Sequence, residues 1–322
     1  MYRKILIIRF SSIGDLVLTT PVIRCLKKQT ESEIHLLVKN KFSEVLRNNP
    51  NISKIWTIEK DTSEIIDALR NESFDFVIDL HYNFRSILLT WQLKKPFLRF
   101  HKLNIEKWLM TKLKINRLPQ KHLVDRYFDS LQKLDIHNDG GGLDFFIEKE
   151  DSLVFEKFQL PEKYVAGVLG ATYYTKQIPV NKWIEIIQAI NLPIVFLGGF
   201  NEKEIGDHFY REFPNQVYNC TGQLNIAQSA AVIKNSQMVI TPDTGMMHIA
   251  AALRKPIHVI WGNTIPQFGM YPYFGNENGV VKNHEVTGLT CRPCTKLGYP
   301  ACPKKHFDCM HKQKMDHQTM EL

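Results

Sequence analysis

The chain has 322 residues, which is long for one ordinary domain and short for three, so we expect two domains of about 150 residues each. Hydrophobic residues make up 44% of it and charged residues 23%, a balance that excludes an intrinsically disordered protein. The formal net charge is +8. No run of about 18 apolar residues occurs, so the sequence predicts no membrane-spanning helix and a cytoplasmic protein.

The chain begins with MYRKILIIRF, where a basic start precedes a short apolar run that ends at Arg9. This stretch lacks the apolar core and cleavage site of a signal peptide, and it predicts a buried first strand. Short apolar runs then alternate with amphipathic stretches, a pattern typical of a parallel sheet covered by helices. In the first half we predict strands at 4–9, 33–38, 54–58 and 74–80, and helices at 16–28, 62–71 and 124–134.

A second series of the same kind follows, with strands predicted at 164–169, 193–197, 216–219, 238–240 and 256–261, and helices at 180–190, 202–213, 226–234 and 246–253. A glycine run at 140–142 and an acidic stretch at 148–151 indicate the hinge between the two series. The sequence thus predicts an α/β protein with Rossmann-like domains at 1–150 and 151–322. Two such domains would face each other across a cleft at the carboxyl ends of their sheets, where ligands bind in these folds.

The first predicted strand runs into Phe10-Ser11-Ser12-Ile13-Gly14-Asp15 before a helix begins. No G-x-G-x-x-G occurs in the chain, which disfavours a dinucleotide-dependent hydride transfer. A carboxylate in this turn is placed to take a proton from an incoming hydroxyl, as general-base catalysis of group transfer requires. Ser and Asp are also common helix caps, so capping by Ser12 or Asp15 is an equal alternative at this point.

A second polar turn follows the strand predicted at 238–240 and opens a helix of small residues, with the sequence TPDTGMMHIAAAL from Thr241. Backbone N–H groups at the N-terminus of a helix attract anions, so this turn suits a diphosphate. Asp243 can equally be an N-cap. His248, taken alone, is more often a packed core residue than a ligand.

Two further loops of the second half carry polar residues where predicted strands end. The loop after 164–169 holds Lys176, which is able to neutralise a leaving phosphate without a metal, although loop lysines are usually solvated. Gly198 and Gly199 allow close backbone approach to a ligand, and Glu202 behind them offers a carboxylate to ribose hydroxyls.

The excess positive charge is concentrated between Lys94 and Lys121, where nine Lys or Arg residues stand against one acid, Glu106. Bulky apolar residues such as Phe97 and Trp108 are interleaved with them, a pattern that suits an anionic lipid surface or a phosphorylated amphiphile. A solvated helical face and RNA binding are the alternatives. No RNA-recognition signature accompanies the segment, so we expect no nucleic-acid partner.

Together these motifs resemble glycosyltransferase family 9, the lipopolysaccharide heptosyltransferases, over nearly the whole chain. The resemblance is carried by Ser11 to Asp15 with Thr20-Pro21, Asp79-Leu80-His81 to Arg85, Thr172 to Lys176, Gly198-Gly199, Asp243-Thr244-Gly245 to His248, and Gly262-Asn263-Thr264. The chain departs from the family at 177–179, where Gln-Ile-Pro stands and the family often has Trp-Pro close behind the lysine.

The resemblance implies a GT-B fold that binds an acceptor on the first domain and an ADP-sugar on the second. It further implies inversion of the anomeric centre without a metal, no required cofactor, and Asp15 as the catalytic base. The donor would be bound by Thr172, Lys176, Glu202, Asp243, Thr244, Gly245 and His248. The acceptor, an anionic lipid A or core oligosaccharide at the cytoplasmic face of the inner membrane, would contact Ser12, His81, Asn83 and Arg85.

Four of the six cysteines lie near the C-terminus, at Cys291, Cys294, Cys302 and Cys309, with His306 nearby. In a cytosolic protein such a cluster indicates structural zinc more than disulfides. Its spacing is not that of a standard zinc ribbon. Reduced packing thiols are therefore the default expectation, and structural zinc is the alternative.

Two other functions fit parts of the sequence. Another two-domain sugar-nucleotide enzyme, such as a nucleotide-sugar 2-epimerase, would need no lipid acceptor. A non-catalytic membrane-surface protein that binds a nucleotide sugar would keep the fold without turnover, although Asp15, Lys176 and Asp243 together argue against it.

Overall fold

The computed structural model describes residues 2–321 and divides into two compact units. The first unit contains the residues up to Leu103, Lys121–Phe146 and Gly275–Glu277, and the remaining segments form the second. The units are therefore not continuous in sequence. Asn104–Gln120 groups with the second unit, which differs from the contiguous division at residue 150 that the sequence suggested.

Five strands form the sheet of the first unit: β1 (Lys4–Ile8), β2 (Glu33–Lys39), β3 (Lys54–Ile58), β4 (Phe76–Asp79) and β5 (Phe97–Arg99). All neighbours are parallel, in the order β3-β2-β1-β4-β5. The central strand β1 is buried along Ile5 to Ile8, as expected of a parallel strand covered on both faces. The predicted strands are confirmed. Strand β5 was missed because this edge strand has only three residues, FLR, too few to show a strand pattern.

Six strands form the parallel sheet of the second unit: β6 (Val165–Val168), β7 (Ile194–Leu197), β8 (Val217–Asn219), β9 (Met238–Pro242), β10 (Ile257–Trp261) and β11 (Val281–Glu285). Their order is β11-β10-β9-β6-β7-β8. The five predicted strands are confirmed. The edge strand β11 escaped prediction because its sequence, VKNHE, is mostly polar.

The helices alternate with these strands, as predicted for an α/β fold. They are α1 (Ile13–Val17), α2 (Thr20–Thr30), α3 (Ile66–Asn71), α4 (Phe84–Leu93), α5 (Asn104–Trp108), α6 (Leu123–Leu131), α7 (Val154–Phe158), α8 (Val180–Ala189), α9 (Lys203–Glu212), α10 (Ile226–Asn235), α11 (Gly245–Ala252), α12 (Asp308–His311) and α13 (His317–Met320). The single helix predicted at 16–28 is two, because Pro21 starts a new helix in its first turn. Helix α4 was not predicted.

The core of the second unit centres on aromatic side chains from α8, β7 and α9. The rings of Trp183 and Phe196 meet edge to face at 5.0 Å, and Phe209 lies 5.2 Å from Phe196. Gly167 in β6 makes room for this cluster, because a Cβ there would come within 2.8 Å of the Phe196 ring. This packing fixes the carboxyl ends of β6 and β7, from which two of the candidate loops begin.

In the first unit a buried arginine on α2 anchors the glycine run at 140–142. The Arg24 guanidinium donates to both carboxylate oxygens of Asp139 at 2.7 and 2.9 Å, to the Gly142 carbonyl at 2.9 Å, and to Asp144. Its side chain is only 8% exposed. The run is therefore held against α2, and the chain passes to the second unit beyond it, between Phe146 and Ile147.

Replacing Arg24 with Met tests this anchor. The change keeps most of the apolar stem and removes the buried cation that Asp139 and Asp144 share, so we expect the free energy of unfolding to fall by about 3 kcal/mol in urea titrations. Lys28→Met is the matched control, since Lys28 lies 3.6 Å from Asp139 but is 62% exposed. That variant should lose less than about 1 kcal/mol. Equal losses in the two variants would contradict the assignment.

Candidate active site

The predicted acceptor-side residues follow the two strands at the centre of the first sheet. From β1 the chain builds outward to β2 and β3 on one side, and β4 and β5 lie on the other, so the β1–β4 pair is the topological switch point. Ligands of open α/β sheets bind beyond the carboxyl ends of strands at this point. Ser12 and Asp15 follow β1, and His81, Asn83 and Arg85 follow β4.

Asp15 is the third residue of α1, and one of its carboxylate oxygens caps that helix. Its Oδ2 accepts hydrogen bonds from the Ser12 amide at 3.1 Å and the Ser12 hydroxyl at 2.8 Å. The capping interpretation is therefore correct for this oxygen. The other oxygen, Oδ1, forms an ion pair with the Arg9 guanidinium, which a simple cap does not need.

Arg9 was read in the sequence only as the end of the first strand, but it is a central member of this site. Its guanidinium is buried and donates to the Leu80 carbonyl at 2.6 Å, the Ser11 carbonyl at 2.9 Å and the Tyr127 hydroxyl at 3.2 Å, besides pairing with Asp15. These partners come from the ends of β1 and β4 and from α6. Arg9 thus connects the three elements that surround Asp15.

The protonation of Asp15 reflects opposing effects. Burial disfavours its ionised form, but the Arg9 charge and the Ser12 hydrogen bonds outweigh burial and lower the pKa of Asp15 below its ordinary 3.8. Asp15 is therefore a carboxylate at neutral pH. Its side chain is 19% exposed, so one edge remains accessible.

His81 lies beside this pair in the first unit. Its ring packs on Phe10 with centroids 4.8 Å apart, and its Nδ1 is buried without a hydrogen-bond partner among residues 2–321. Burial and the charges of Arg9 and Lys102 lower the pKa of His81 to about 3. The ring is neutral at physiological pH, and a polar ligand atom is the kind of partner that its Nδ1 requires.

Asn83 and Arg85 are engaged in local structure. The Asn83 side chain caps α4 by accepting from the Ser86 amide at 2.9 Å, and Arg85 donates to the Lys60 carbonyl at 3.0 Å. Buried Asp79, which the sequence assigned no role, accepts from the amides of His81 and Tyr82 at 3.0 and 2.8 Å. It therefore sets the course of the loop that presents His81.

The donor-side residues are likewise gathered at the switch point of the second sheet, where β6 and β9 are neighbours. Lys176, from the loop after β6, donates to the Asp243 carboxylate at 2.6 Å and to the Asp243 carbonyl at 3.2 Å. The same carboxylate oxygen accepts from the Thr264 hydroxyl at 2.8 Å. The structure therefore joins three of the motifs into one polar cluster, with Lys176 17% and Asp243 12% exposed.

Thr244 is the N-cap of α11, and Gly245 is the first residue of that helix. The Thr244 hydroxyl lies 3.3 Å from that of Thr241, and the helix N-terminus directly follows Asp243. His248 lies further along α11 and is 2% exposed, so its packing agrees with the core interpretation. The polar turn and the helix predicted here are confirmed.

Glu202 lies behind the paired glycines after β7, and its Oε2 accepts from the Gly199 amide at 2.8 Å. A Cβ on Gly170 would come within 3.2 Å of the same oxygen, and one on Gly198 within 3.0 Å of the Glu202 Cβ. Both glycines thus leave space for this carboxylate. Thr172, in the loop after β6, is exposed.

The departure from the family pattern at 177–179 leaves Lys176 in place. Gln177 donates to the Ala171 carbonyl at 3.1 Å across the loop, Ile178 is buried, and Pro179 caps α8. These three residues close the loop locally, and the lysine keeps its contact with Asp243.

Arg292 is a residue of this site that the sequence did not single out. Its guanidinium, 7% exposed, donates to the carbonyls of Gly262 and Thr264 at 2.8 Å each and to the Glu285 carboxylate at 2.6 Å. It thereby fixes the loop from which Thr264 reaches Asp243. In the sequence, Arg292 stands between Cys291 and Pro293, and this local sequence matches no catalytic motif.

The C-terminal cysteines show no metal-binding arrangement in the part of the chain that the structure describes. Cys291, Cys294, Cys302 and Cys309 are free thiols, and the Cys291 sulfur lies 3.9 Å from Nε2 of His306. No group of three or more His, Cys, Asp or Glu side chains in residues 2–321 is disposed to hold an ion. Structural zinc and reduced packing thiols both stay predictions, which metal analysis of the purified protein would test.

The basic segment between Lys94 and Lys121 contains strand β5 and helix α5. Its residues are divided between the two units, and several of its charges are paired: Arg99 with Asp79, Lys121 with Asp129, and Lys114 with the carbonyls of Cys291 and Pro293. Among the helices of residues 2–321, none is both long and apolar enough to span a bilayer.

A sequence model of glycosyltransferase family 9 (heptosyltransferase) matches residues 63–298, well over half of the chain. The chain belongs to glycosyltransferase family 9. It is 26% identical over 298 residues to lipopolysaccharide heptosyltransferase 1 of Campylobacter coli, a match that covers 81% of this chain and 84% of that protein. Membership in this family identifies the chain as a glycosyltransferase, and it supports neither the epimerase nor the non-catalytic binding protein.

Solved structures agree on the fold. The family 9 glycosyl transferase of Veillonella parvula superposes with a TM-score of 0.73 at 23% identity and covers 90% of both chains. The E. coli ADP-heptose lps heptosyltransferase II superposes with a TM-score of 0.71 at 17% identity, covering 96% of this chain and 98% of that one. This family 9 enzyme has the GT-B fold that the sequence motifs implied.

The ion pair at Asp15 predicts a pH-dependent contribution to stability. Because the pKa of Asp15 is lowered in the fold, its carboxylate stabilises the protein above pH 3.8, and this contribution is lost as the pH falls through the lowered pKa. Asp15→Asn should reduce the free energy of unfolding by about 2 kcal/mol at pH 6, with a deficit that shrinks below pH 4. Urea titrations from pH 2 to 6 measure it.

Asp67→Asn is the control for this measurement, since the Asp67 side chain is 88% exposed. Its unfolding free energy should track that of the unchanged protein at every pH. A constant deficit for Asp15→Asn across the range would show that the carboxylate is not held by Arg9 in its ionised form.

Proposed function

We propose that this family 9 enzyme transfers a heptose from an ADP-sugar to an inner-core sugar of lipopolysaccharide, inverting the anomeric centre and using Asp15 as general base. The observation that carries the proposal is the ionised Asp15 carboxylate, held by buried Arg9 at the switch point of the first sheet. The donor and acceptor classes are supported by the relatives, which are named as lipopolysaccharide heptosyltransferases and as an ADP-heptose lps heptosyltransferase.

The reaction is a direct displacement. An acceptor hydroxyl forms a bond to the anomeric carbon from the face opposite the nucleotide, while the bond from that carbon to the β-phosphate oxygen breaks and ADP leaves with the electron pair. The hydroxyl proton passes to Asp15. A carboxylate with a low pKa accepts this proton only as the hydroxyl becomes acidic late in bond formation, so Asp15 serves as a charged, fixed acceptor near the acceptor hydroxyl.

On the acceptor side we propose that Ser12, His81, Asn83 and Arg85 contact the core sugars or their phosphates. The partnerless Nδ1 of neutral His81 supports a hydrogen bond to a sugar hydroxyl. Arg85 is exposed, and one nitrogen of its guanidinium donates to the Lys60 carbonyl. The other guanidinium donors are available to bind an anionic group.

On the donor side we propose that the second unit stabilises the departing diphosphate without a metal or other cofactor. Lys176, already placed by Asp243, supplies a positive charge, and the N-terminus of α11 supplies the amides of Thr244 and Gly245. Thr172 would bind the same phosphates, Glu202 the ribose, and His248 would form part of the wall behind them. Peripheral contact with the cytoplasmic face of the inner membrane would bring the enzyme to its lipid acceptor.

Asp15→Asn is expected to lower kcat by about 100-fold or more, because the amide keeps the shape of the side chain and cannot accept the proton. Binding of ADP, measured by calorimetry, should stay within about twofold, since every proposed donor contact lies in the second unit. Asp67→Asn should retain full activity. Turnover by Asp15→Asn within about threefold of the unchanged enzyme would place the base elsewhere.

Lys176→Met is expected to weaken ADP binding about tenfold and lower kcat about 100-fold, because the lysine would neutralise the charge that develops on the leaving group. Lys203→Met is the control, as Lys203 forms a comparable pair with Asp207 at 2.6 Å on the surface of the same unit. Activity unchanged by EDTA would agree with a metal-free displacement. Unchanged kcat in Lys176→Met would contradict the role of this lysine.

The donor and acceptor are tested directly with a panel of ADP-, GDP- and UDP-sugars and a truncated lipopolysaccharide, with the products read by mass and their anomeric configuration by NMR. Transfer from ADP-heptose alone, with inversion, is the expected result. Preferred use of another nucleotide or retention of configuration would overturn that part of the proposal.

A further inference from the structure

Helix α4 of the first unit carries apolar residues on two faces. Leu89 and Leu93 are buried and pack into the core. Phe84, Leu88 and Trp91 are exposed by 80%, 41% and 78%. Their spacing of four and then three residues aligns the three side chains in one stripe along the helix. The second face is therefore largely exposed, and Phe84 and Trp91 contribute little to the packing of the first unit.

An exposed stripe of this kind indicates an interaction surface. Single exposed apolar residues are common on protein surfaces, but aligned and adjoining bulky side chains mark contact with a protein or a membrane. Phe97 at the start of β5, also 41% exposed, adds to the apolar surface of the same unit. Leu88 and Trp91 lie outside every motif that the family resemblance used for sugar binding, whereas Phe84 lies within the motif from Asp79 to Arg85.

The surroundings of the stripe are cationic. Helix α4 has the sequence FRSILLTWQL, with no acidic residue and with exposed Arg85, and it ends at Lys94 and Lys95. A cavity of about 290 Å³ beside this end is lined by Arg70, Lys94 and Lys95 together with apolar side chains that include Leu69 and Phe74. No acidic residue lines it.

Two acids lie near these cations and balance part of their charge. Asp67 pairs with Arg70 at 3.1 Å on the surface. The Asp75 carboxylate accepts from the amides of Arg3 and Lys4 at 2.7 and 2.9 Å, and the charge of Lys95 helps to lower its pKa. Lys94 and Lys95 make no ion pair within the described chain. Arg70, Lys94 and Lys95 outnumber these two acids, so this end of α4 keeps a net positive charge.

We propose that this surface, formed by Phe84, Leu88 and Trp91 with Arg85, Arg70, Lys94 and Lys95, docks the enzyme on an anionic lipid bilayer. The aromatic side chains enter the interface between headgroups and acyl chains, where Trp and Phe are favoured, and the cations contact lipid phosphates. The inference rests on the membrane contact in the proposed function and assigns it to α4, whereas the sequence had suggested the segment from Lys94 to Lys121.

A second copy of the chain is the other possible occupant, and the charges argue against it. A two-fold symmetric contact through the same stripe would bring the four cations of one copy close to those of the other. Like charges facing each other across an interface disfavour association. A bilayer that contains anionic lipid supplies the opposite charge over the whole surface.

The experiment measures co-sedimentation of the full chain, without donor or acceptor, with vesicles of phosphatidylcholine alone and of phosphatidylcholine with 30% phosphatidylglycerol. We expect binding to the anionic vesicles that falls at least about tenfold in Leu88→Ser/Trp91→Ser and in Lys94→Glu/Lys95→Glu. The control is Phe200→Ser, an equally exposed aromatic in the second unit at 78% exposure, which should bind as the unchanged chain does. Circular dichroism verifies that each variant is folded.

Each remaining outcome overturns the proposal. The first is equal binding by the α4 variants and the control, and the second is equal binding to neutral and anionic vesicles. The third is the absence of vesicle binding together with a dimer, seen by light scattering, that the Trp91→Ser change dissociates. Transfer to a soluble, deacylated acceptor is measured in parallel and should be unchanged in Leu88→Ser/Trp91→Ser. An unchanged chain that transfers sugar to the soluble acceptor but does not bind vesicles would contradict this surface and leave the proposed function intact.

Discussion

A buried guanidinium at the end of the first strand organises the acceptor-side half of this enzyme. Arg9 would be costly to bury alone, so each of its donors needs a partner, and the partners come from the turn after β1, the end of β4, and α6. Asp15 is the only one that carries a negative charge. The same interaction that makes Arg9 tolerable in the interior therefore fixes the position and ionisation of the carboxylate at the switch point.

In the second unit, a chain of polar contacts holds the donor-side residues in place. Lys176 pairs with Asp243, Asp243 accepts from Thr264, and Arg292 holds the carbonyls of the Thr264 loop. Each member is only partly exposed, so its geometry is set by its neighbours and not by solvent. A lysine held in this way is preorganised, and little reorganisation would be needed when a diphosphate replaces water beside it.

The sequence predicted the parallel sheets well because buried parallel strands such as β1 and β9 are short, uninterrupted apolar runs. It missed β5 and β11 because edge strands need only a few residues and one covered face. Helix α4 was missed since apolar residues on both of its faces remove the amphipathic period that marks a surface helix. The loops around Asp15 and Asp243 were found as motifs, but Arg9 and Arg292 were not, because their partners are distant in sequence.

The chain passes between its two units at five places, since Asn104–Gln120 and Gly275–Glu277 each lie in the unit opposite to their flanking residues. One consequence concerns hybrid enzymes made by joining the halves of two family members. A single junction near residue 147 would take Lys114 from one parent and its partners, the Cys291 and Pro293 carbonyls, from the other. A hybrid that combines the substrate specificities of two relatives therefore needs several coordinated junctions. In each hybrid, residues 104–120 should come from the same parent as the C-terminal half.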